Sequence, residues 1–310
     1  MNIHPGVMGI DISKQILDVF DAAAGGSRRI ANNDEAIAAL VQRCIDGGIF
    51  VLFEATGSYD RLLRQALRAA NVPFARVNPA RARDFARAAG FLAKTDAVDA
   101  RMLAAMAQCL RPDPQAAAPA ERERLARLHK RRDQMVAARQ QERTRRSECS
   151  DPEIASHLDR HLAWLDAEIK AIERTIRQLL AAQTELADLQ RLLRTAPGIG
   201  PVTAVTLMAL LPELGSRSAK TIAALAGLAP FNRDSGRLRG QRAIRGGRKR
   251  VRDALYMAAL TASRSHSRFR AEYRRFRSAG KPAKLVLIAI ARKLLVTLNA
   301  MVRDQKAFQV

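Results

Sequence analysis

Four carboxylates occupy positions at which strand-like and helix-like segments begin or end. Asp11 stands between two isoleucines in a strand-like run, and Glu54 directly follows an apolar run that is typical of a buried strand. Asp96 and Asp99 lie three residues apart at the start of a helix-like segment, so they share one face of it. A carboxylate inside a buried strand is costly unless it is paired or binds a cation.

If these four side chains converge, they repel one another unless a divalent cation neutralises them. Carboxylate oxygens suit Mg²⁺ or Mn²⁺, and a pair of such ions is a standard means of displacing groups at phosphorus. The residues therefore predict a metal site, with two ions, for chemistry on phosphate. Taken singly, Asp99 is also explained as a solvated helix residue and Asp96 as a helix N-cap.

A second candidate site is a glycine turn. Residues 197–201 read Pro-Gly-Ile-Gly-Pro, which is typical of the turn in a helix–hairpin–helix. Gly198 and Gly200 would let backbone N–H groups approach a phosphate, as they do at other helix N-termini. We expect a nucleic-acid contact here, and a tight helix connection without a ligand is the alternative.

A third candidate is a serine inside a basic segment. Nine basic residues lie between Arg233 and Arg252, around Ser235 and the glycine that follows it. A serine hydroxyl is a poor nucleophile unless its proton is removed, whereas guanidinium groups hold a phosphate and stabilise the charge developing on it. From the residues alone, a turn serine beside a backbone-binding patch is the alternative. The candidate nucleic-acid contacts are Arg233, Arg237, Arg239, Arg242, Arg245, Arg248, Lys249 and Arg250.

The charge of the chain is concentrated at one end. Of 310 residues, 53 are Lys or Arg and 30 are Asp or Glu, which gives a net charge of +23. Residues 201–310 hold 23 of the basic and 5 of the acidic side chains, a net +18. Arginine-rich codon usage does not concentrate charge in one segment. The pattern therefore predicts that the last third of the chain binds a polyanion, with nucleic acid the leading partner.

Composition excludes several classes of protein. With 48% hydrophobic residues the chain can form a core, and long disorder is not expected. Cys44, Cys109 and Cys149 have no spacing typical of a disulfide framework or a zinc site. The first residues do not resemble a signal peptide, and the longest apolar stretches, near 202–211 and 285–291, are short for a membrane span. We therefore expect a cytoplasmic protein without a membrane partner.

Hydrophobic periodicity predicts an α/β domain over residues 1–112. A meander of strands is followed there by alternating helices and strands, as in a layered α/β architecture. The predicted strands cover residues 7–12, 15–21, 27–31, 49–53 and 74–77, and the predicted helices cover 34–44, 59–70 and 96–110.

Residues 113–190 predict a helical connector, and residues 191–310 a mostly helical third part. The connector contains two long helices, in which leucine and isoleucine recur at three- and four-residue steps from 158 to 180. This heptad-like seam is typical of a coiled coil. It suits either a dimerisation arm or an antiparallel hairpin that packs only on itself. The predicted helices are 121–147, 153–192, 218–226, 251–264 and 285–301.

Six segments, in the same order, resemble a known family. They are GIDISK around Asp11, EATGSY, KTDAVDA, PGIG, AGLAP, and Ser235-Gly236 with the basic stretch and LYMAA that follow. Together they resemble the insertion-sequence one-ten family of DNA transposases over essentially the whole chain. The segment 246–252 departs from the Lys-x-Gly-Asn pattern of relatives, which leaves the detail of the basic loop open.

The resemblance implies a fold and roles for the residues. It implies an RNase H-like N-terminal domain similar to Holliday-junction resolvases of the RuvC type, a coiled-coil connector and a mostly helical C-terminal transposase domain. Asp11, Glu54, Asp96 and Asp99 would be the DEDD metal ligands, and Ser235 the nucleophile. Relatives act as dimers or dimers of dimers, with a structured bridge RNA that pairs with donor and target DNA. We expect these partners, and a nucleoid-associated location, for this chain.

Two rival functions remain open on the sequence. The first is a RuvC-like metal-dependent nuclease or junction resolvase, in which water attacks and Ser235 only positions phosphate. The second is a non-catalytic DNA- or RNA-binding architectural protein with structural carboxylates. A covalent protein–DNA adduct is expected only if the serine is the nucleophile.

Overall fold

The structure of the protein is a computed structural model that describes residues 6–55, 57, 59–91, 95–115, 119–232, 240 and 242–309. It divides into two compact units, Met1–Ala117 and Ala118–Val310. The long helices of the predicted connector belong to the second unit together with the C-terminal helices, whereas the sequence predicted three parts with boundaries at 112 and 190. Ser235, Arg233, Arg237 and Arg239 lie outside the described residues.

The first unit is built on a five-stranded mixed sheet. Its strands are β1 Gly6–Ile12, β2 Ile16–Asp21, β3 Gly26–Ala31, β4 Ile49–Glu54 and β5 Phe74–Val77. Their order is β3-β2-β1-β4-β5. The first three pair antiparallel, whereas β1, β4 and β5 run parallel. The predicted α/β class is confirmed, and each strand begins and ends within one residue of its predicted bounds.

Four helices cover the two faces of this sheet. They are α1 Asp34–Asp46, α2 Arg61–Ala69, α3 Pro79–Ala88 and α4 Asp96–Leu110. Because alternate residues of a strand point to opposite faces, Met8 and Ile10 pack with apolar residues of α1 and α2, while Val7 packs with those of α3 and α4. The sequence did not predict α3, which buries only Ala82 among its arginines.

Gly9 in β1 lets α4 lie directly against the sheet. A Cβ atom at this position would come within 2.1 Å of the carbonyl oxygen of Ala100 and 2.4 Å of the amide nitrogen of Ala104, both in the α4 backbone. Only glycine leaves room for so close an approach. The backbone of α4 therefore meets β1 two residues before Asp11, on the face of the sheet to which Asp11 also points.

The second unit is almost entirely helical. Its helices are α5 Ala120–Glu148, α6 Pro152–Ala181, α7 Thr184–Arg194, α8 Pro201–Leu210, α9 Ala219–Leu225, α10 Lys249–Ala262, α11 Arg268–Ser278 and α12 Ala283–Asp304. Two short strands, β6 Pro230–Phe231 and β7 Ala243–Ile244, form an antiparallel ribbon. Buried residues from each of the eight helices form one hydrophobic core.

The helices α5 and α6 form an antiparallel hairpin, each about 45 Å long. Their ion pairs show the direction, because Arg132 pairs with Glu173 and Arg146, further along α5, pairs with Asp159, further back in α6. Met135 packs inside the hairpin with Leu165 and Ile169. An antiparallel hairpin is present within the chain, but it does not pack only on itself, because residues of both helices also belong to the core of the second unit.

The base of the hairpin is anchored, whereas its outer side is exposed. Leu125 and Ile176 belong to the main core of the second unit. Further out on α6, Trp164 is 52% exposed and its ring stacks on His161 with 5.8 Å between ring centroids. The chain thus presents its single tryptophan to solvent.

Among the described residues, Ala283–Asp304 is the one helix that is long and apolar enough to cross a membrane by length and composition. The sequence did not indicate this, because the apolar residues of the helix are not consecutive. Half of the apolar window is buried in the protein, and Val286, Leu294 and Leu298 are core residues of the second unit. The core position of this helix accounts for its buried half.

Candidate active site

Asp11 and Glu54 lie on the same face of the sheet at the carboxyl ends of two parallel strands. The parallel register pairs Ile10 of β1 with Phe53 of β4, so the next residues along each strand, Asp11 and Glu54, are neighbours. Leu52, two residues before Glu54, packs in the cluster that contains α4. Because side chains alternate along a strand, both carboxylates are on the α4 side, and both are half-buried.

The two aspartates of α4 occupy its first turn. The Thr95 hydroxyl caps this helix by accepting a hydrogen bond from the amide of Val98 at 3.3 Å. Asp99 is half-buried and Asp96 is exposed. One turn further along, Ala100 packs on Gly9, so this end of the helix lies over the acidic end of β1. Acidic residues are also favoured in the first turn of a helix by its dipole.

The charges of these aspartates act on one another. Burial raises the pKa of Asp11, and the negative charges of Asp99, Asp96 and Asp18 raise it further, while a hydrogen bond from the backbone of Ile12 lowers it. The negative charges of Asp96 and Asp99 thus act on the Asp11 carboxyl group. A cation among them would relieve both the burial cost and the repulsion.

The donor chemistry of this cluster fits a hard divalent cation, since every donor is a carboxylate oxygen. In the described part of the chain, no three His, Cys, Asp or Glu side chains are close enough together to hold a metal ion. The carboxylates therefore face a common region without forming a closed cage. Their chemistry fits a metal ion, although Asp96 is exposed and paired with Arg29 in this structure.

Sequence reasoning missed two residues beside this cluster. Asp18 of β2 is the antiparallel partner of Asp11, and Arg29 of β3 is the partner of Asp18. Arg29 donates two hydrogen bonds to Asp18, from Nε at 3.0 Å and Nη2 at 3.4 Å. The same Nη2 lies 3.6 Å from a carboxylate oxygen of Asp96. Asp18, flanked by apolar residues as Asp11 is, carried the same sequence signal.

The glycine turn of the second unit has a packing role. Gly198 has φ +81°, and a Cβ there would lie 2.2 Å from the carbonyl oxygen of Ala258 in α10. Gly200 is extended, caps α8, and has no atom within 4 Å of its Cβ position. The positive φ and the close packing of the turn on α10 both require glycine at position 198. The predicted phosphate contact at Gly200 stays a prediction.

Three of the predicted phosphate contacts are engaged within the protein. Arg248 forms a two-pronged ion pair with Glu213, at 2.5 and 2.6 Å. Arg250 forms another with Asp133 of α5, and Lys249 pairs with Asp253 at 2.7 Å. Of the predicted contacts that the structure describes in the basic segment, Arg242 and Arg245 are exposed, and no carboxylate partner is described for either.

The mixed sheet carries Asp11 and Glu54 at the carboxyl ends of two neighbouring parallel strands, and Asp96 and Asp99 stand in the first turn of the helix that covers it. A DEDD transposase family matches residues 8–149. The family described as "Transposase IS116/IS110/IS902 family" matches residues 190–274. The chain belongs to this family of insertion-element transposases.

Relatives match the chain over much or all of its length. A "Pilin gene-inverting protein" of Moraxella bovis is 30% identical over 97% of this chain and 97% of its own length. The protein of the same name from Moraxella lacunata is 31% identical over 84% and 82% of the two chains. The "Insertion element IS116 uncharacterized 44.8 kDa protein" of Streptomyces clavuligerus is 34% identical over 56% and 43%. The chain is accordingly a DNA transposase or recombinase whose DEDD domain uses divalent metal ions.

Proposed function

We propose that this chain cuts and rejoins DNA strands with Ser235 as the nucleophile. Asp11, Glu54, Asp96 and Asp99 hold Mg²⁺ or Mn²⁺, as two ions. The observation that carries the metal part of the proposal is that Asp11 and Glu54 are neighbours at the carboxyl ends of β1 and β4, on the face covered by α4, whose first turn holds Asp96 and Asp99. The raised pKa of Asp11 supports it. The strand order and the position of the acids at the parallel edge support an RNase H-like fold.

The proposed reaction is a balanced exchange of phosphodiester bonds. The Oγ atom of Ser235 forms a bond to phosphorus, the bond from phosphorus to the 3′ oxygen breaks, and the proton lost by the serine is balanced by the one that the 3′ oxygen gains. Attack by the 3′ hydroxyl of a second strand on the phosphoserine reverses the steps and restores the serine. Bound divalent ions supply Lewis-acid stabilisation of the charge on the phosphate oxygens.

The chain's own residues have distinct tasks in this scheme. Asp11 and Glu54 are fixed by neighbouring strands and supply a rigid half of the ligand set. Asp99 and Asp96 come from the first turn of α4, so their position depends on how this helix lies over β1. Arg29 ties Asp96 to the sheet through Asp18. In the second unit, exposed cations such as Arg242 and Arg245 hold the DNA backbone.

The proposed partners are donor and target duplex DNA and a structured bridge RNA. The concentration of positive charge in residues 201–310 supports a nucleic-acid partner. We further propose a homo-oligomer, a dimer or a dimer of dimers, in which the serine of one protomer acts with the acids of another. Coordinated cutting of several strands favours such symmetric assemblies.

The experiment that tests the serine is a covalent-adduct assay. Full-length protein is incubated with Mg²⁺, its RNA and DNA carrying the element ends, and is then denatured and resolved by gel electrophoresis. We expect a protein-linked DNA band that disappears in Ser235→Ala and persists in Ser278→Ala, a control serine of α11. Metal-dependent cleavage without an adduct would instead support the junction resolvase with water as nucleophile. Binding without cleavage would support an architectural protein.

A second candidate outcome of the same chemistry is DNA inversion. The relative that matches 97% of this chain is named a pilin gene-inverting protein, whereas the insertion-element protein is covered over only 43% of its length. A plasmid that carries two element ends in inverted orientation separates the outcomes. Flipping of the intervening segment supports inversion, and excision or joining to a second plasmid supports transposition.

A further inference from the structure

The helix α12 has a second face that the core does not use. Its core face carries residues such as Val286, Ile290 and Leu294. The other face lines an open groove of about 1040 Å³, which we call the α12 groove. One wall of the groove is α11, with Arg268 and Phe269. The other wall is the β6–β7 ribbon with Pro230, Arg242, Ala243 and Ile244.

The rim of the α12 groove is strongly basic. Glu272 is its single carboxylate among the described lining residues, and this side chain is already paired with Lys293 at 2.8 Å. Lys284 and Arg292, on the free face of α12, have no carboxylate partner in the described part of the chain. The charge of the groove therefore matches a polyanion. The six cations of the rim are Arg242, Arg268, Lys281, Lys284, Arg292 and Lys293.

The floor of the groove is apolar. Leu285 is 53% exposed, and Ile288, Ala289 and Val296 beside it are half-buried. Cations over an apolar floor suit a single nucleic-acid strand, because its phosphates reach the rim while its unpaired bases cover the floor. A duplex keeps its bases inside the stack, so it would meet the cations and leave the apolar floor uncovered.

The position of the groove favours DNA as the occupant. The ribbon that forms one wall ends at Phe231 and resumes at Ala243, and Ser235 belongs to the segment between these strands. A strand in the groove therefore lies next to the two ends of the segment that carries the proposed nucleophile. We propose that the α12 groove binds an unpaired DNA strand adjacent to the phosphate that is cut. This inference rests on the proposed function for the choice of DNA over RNA.

The test compares three probes on the full-length protein. The probes are a DNA duplex with a single-stranded overhang, the same duplex with blunt ends, and an RNA strand of the overhang sequence. The charge variant is Lys284→Gln with Arg292→Gln, and its matched control is Lys220→Gln with Arg264→Gln, exposed cations outside the groove. Thermal unfolding checks that each variant is folded.

We expect the charge variant to lose about tenfold in affinity for overhang DNA. The slope of log affinity against log salt should become less steep by about 0.7 for each lost phosphate contact. Leu285→Ser should weaken overhang binding about fivefold without changing this slope, because it removes apolar contact and no charge. Met257→Ser, at an exposed methionine outside the groove, is its control and should have no effect.

Three results would overturn the proposal. If the charge variant loses as much affinity for the blunt duplex as for overhang DNA, the groove binds the backbone of a duplex. If it loses affinity mainly for the RNA strand, the groove is an RNA site. If the groove variants bind all three probes as the wild type does, the groove binds no nucleic acid and the proposal is also refuted. These outcomes are independent of the adduct assay, since the groove variants keep Ser235 and the binding measurement needs no adduct.

Discussion

The folded protein disfavours the ionised form of the Asp11 carboxyl group. Its pKa lies above the ordinary value of 3.8 because of burial and the charges of Asp99, Asp96 and Asp18. A carboxyl group whose pKa is raised by folding costs stability as pH rises above its unfolded value, and that cost persists at neutral pH. This loss of stability is what we expect of a position that serves the proposed cation site.

We expect Asp11→Asn to abolish recombination and to raise the stability of the protein. The gain should be on the order of 1 kcal/mol at neutral pH, since the group is only half-buried, and should vanish below the ordinary pKa of 3.8. Thermal unfolding across this pH range checks it. Millimolar Mg²⁺ should raise the melting temperature of the wild type more than that of the variant. Asp84→Asn, on exposed α3 surface, is the control. A fully active Asp11→Asn would refute the metal site.

Arg29 is expected to act as a positioning residue for the acidic cluster. Replacing it with glutamine leaves Asp18 beside Asp11 without its cation and releases Asp96. We expect weaker Mn²⁺ binding, measured by calorimetry, and recombination that needs more Mg²⁺ to reach its maximum. Arg29→Lys keeps the charge but loses the two-pronged geometry, so it should restore part of both. Unchanged metal dependence in Arg29→Gln would show that the pair is only structural.

At the scale of residues, the sequence was sufficient to select the candidate site residues, but not to predict which residues lie beside them. Asp11, Glu54, Asp96 and Asp99 could be selected because each stands within, at the end of or at the start of a strand-like or helix-like pattern. The role of Arg29 could not be predicted, since it depends on the register that places one residue of β3 opposite one residue of β2. Register is set by the pairing of whole strands and not by local sequence.

At the scale of elements, the close contact of α4 with β1 determines where Asp96 and Asp99 lie relative to Asp11. Gly9→Ala places a methyl group 2.1 Å from the carbonyl oxygen of Ala100, so either the helix or the strand must shift. We expect a loss of about 2–3 kcal/mol in stability and a large loss of activity, because the shift moves Asp96 and Asp99. Gly26→Ala in β3, with open space around it, should be nearly neutral. Chemical denaturation and a recombination assay measure both effects. A stable, active Gly9→Ala would contradict this account.

Elements with clear periodicity were predicted from the sequence, and those without it were not. The strands of the first unit and α4 stand out by their apolar runs. The helices α3 and α11 were not predicted, because their many arginines leave too few apolar residues for a clear helical periodicity. The long helix predicted over 153–192 instead ends at Ala181 and resumes at Thr184. The apolar spacing continues through this break, so the pattern did not reveal it.

At the scale of the whole molecule, the proposed assembly predicts complementation between inactive variants. Asp11→Asn and Ser235→Ala protomers should each be inactive alone. If serine and acids act from different protomers, a mixture of the two should regain part of the activity, because some sites then combine wild-type acids with a wild-type serine. A recombination assay on mixed oligomers, verified by two affinity tags, measures this. Absence of recovery would place the serine and the acids of each site in one chain.

The single tryptophan makes the α5–α6 hairpin an optical reporter. Trp164 lies on the exposed side of α6, stacked on His161, and no second indole obscures its signal. In the free chain its emission should peak at the long wavelengths of a hydrated indole. If another protomer or a nucleic acid covers this side of the hairpin, the emission should shift to the blue as water leaves the ring. Fluorescence titration can therefore follow assembly at the hairpin without any attached label, while binding elsewhere on the chain stays spectrally silent.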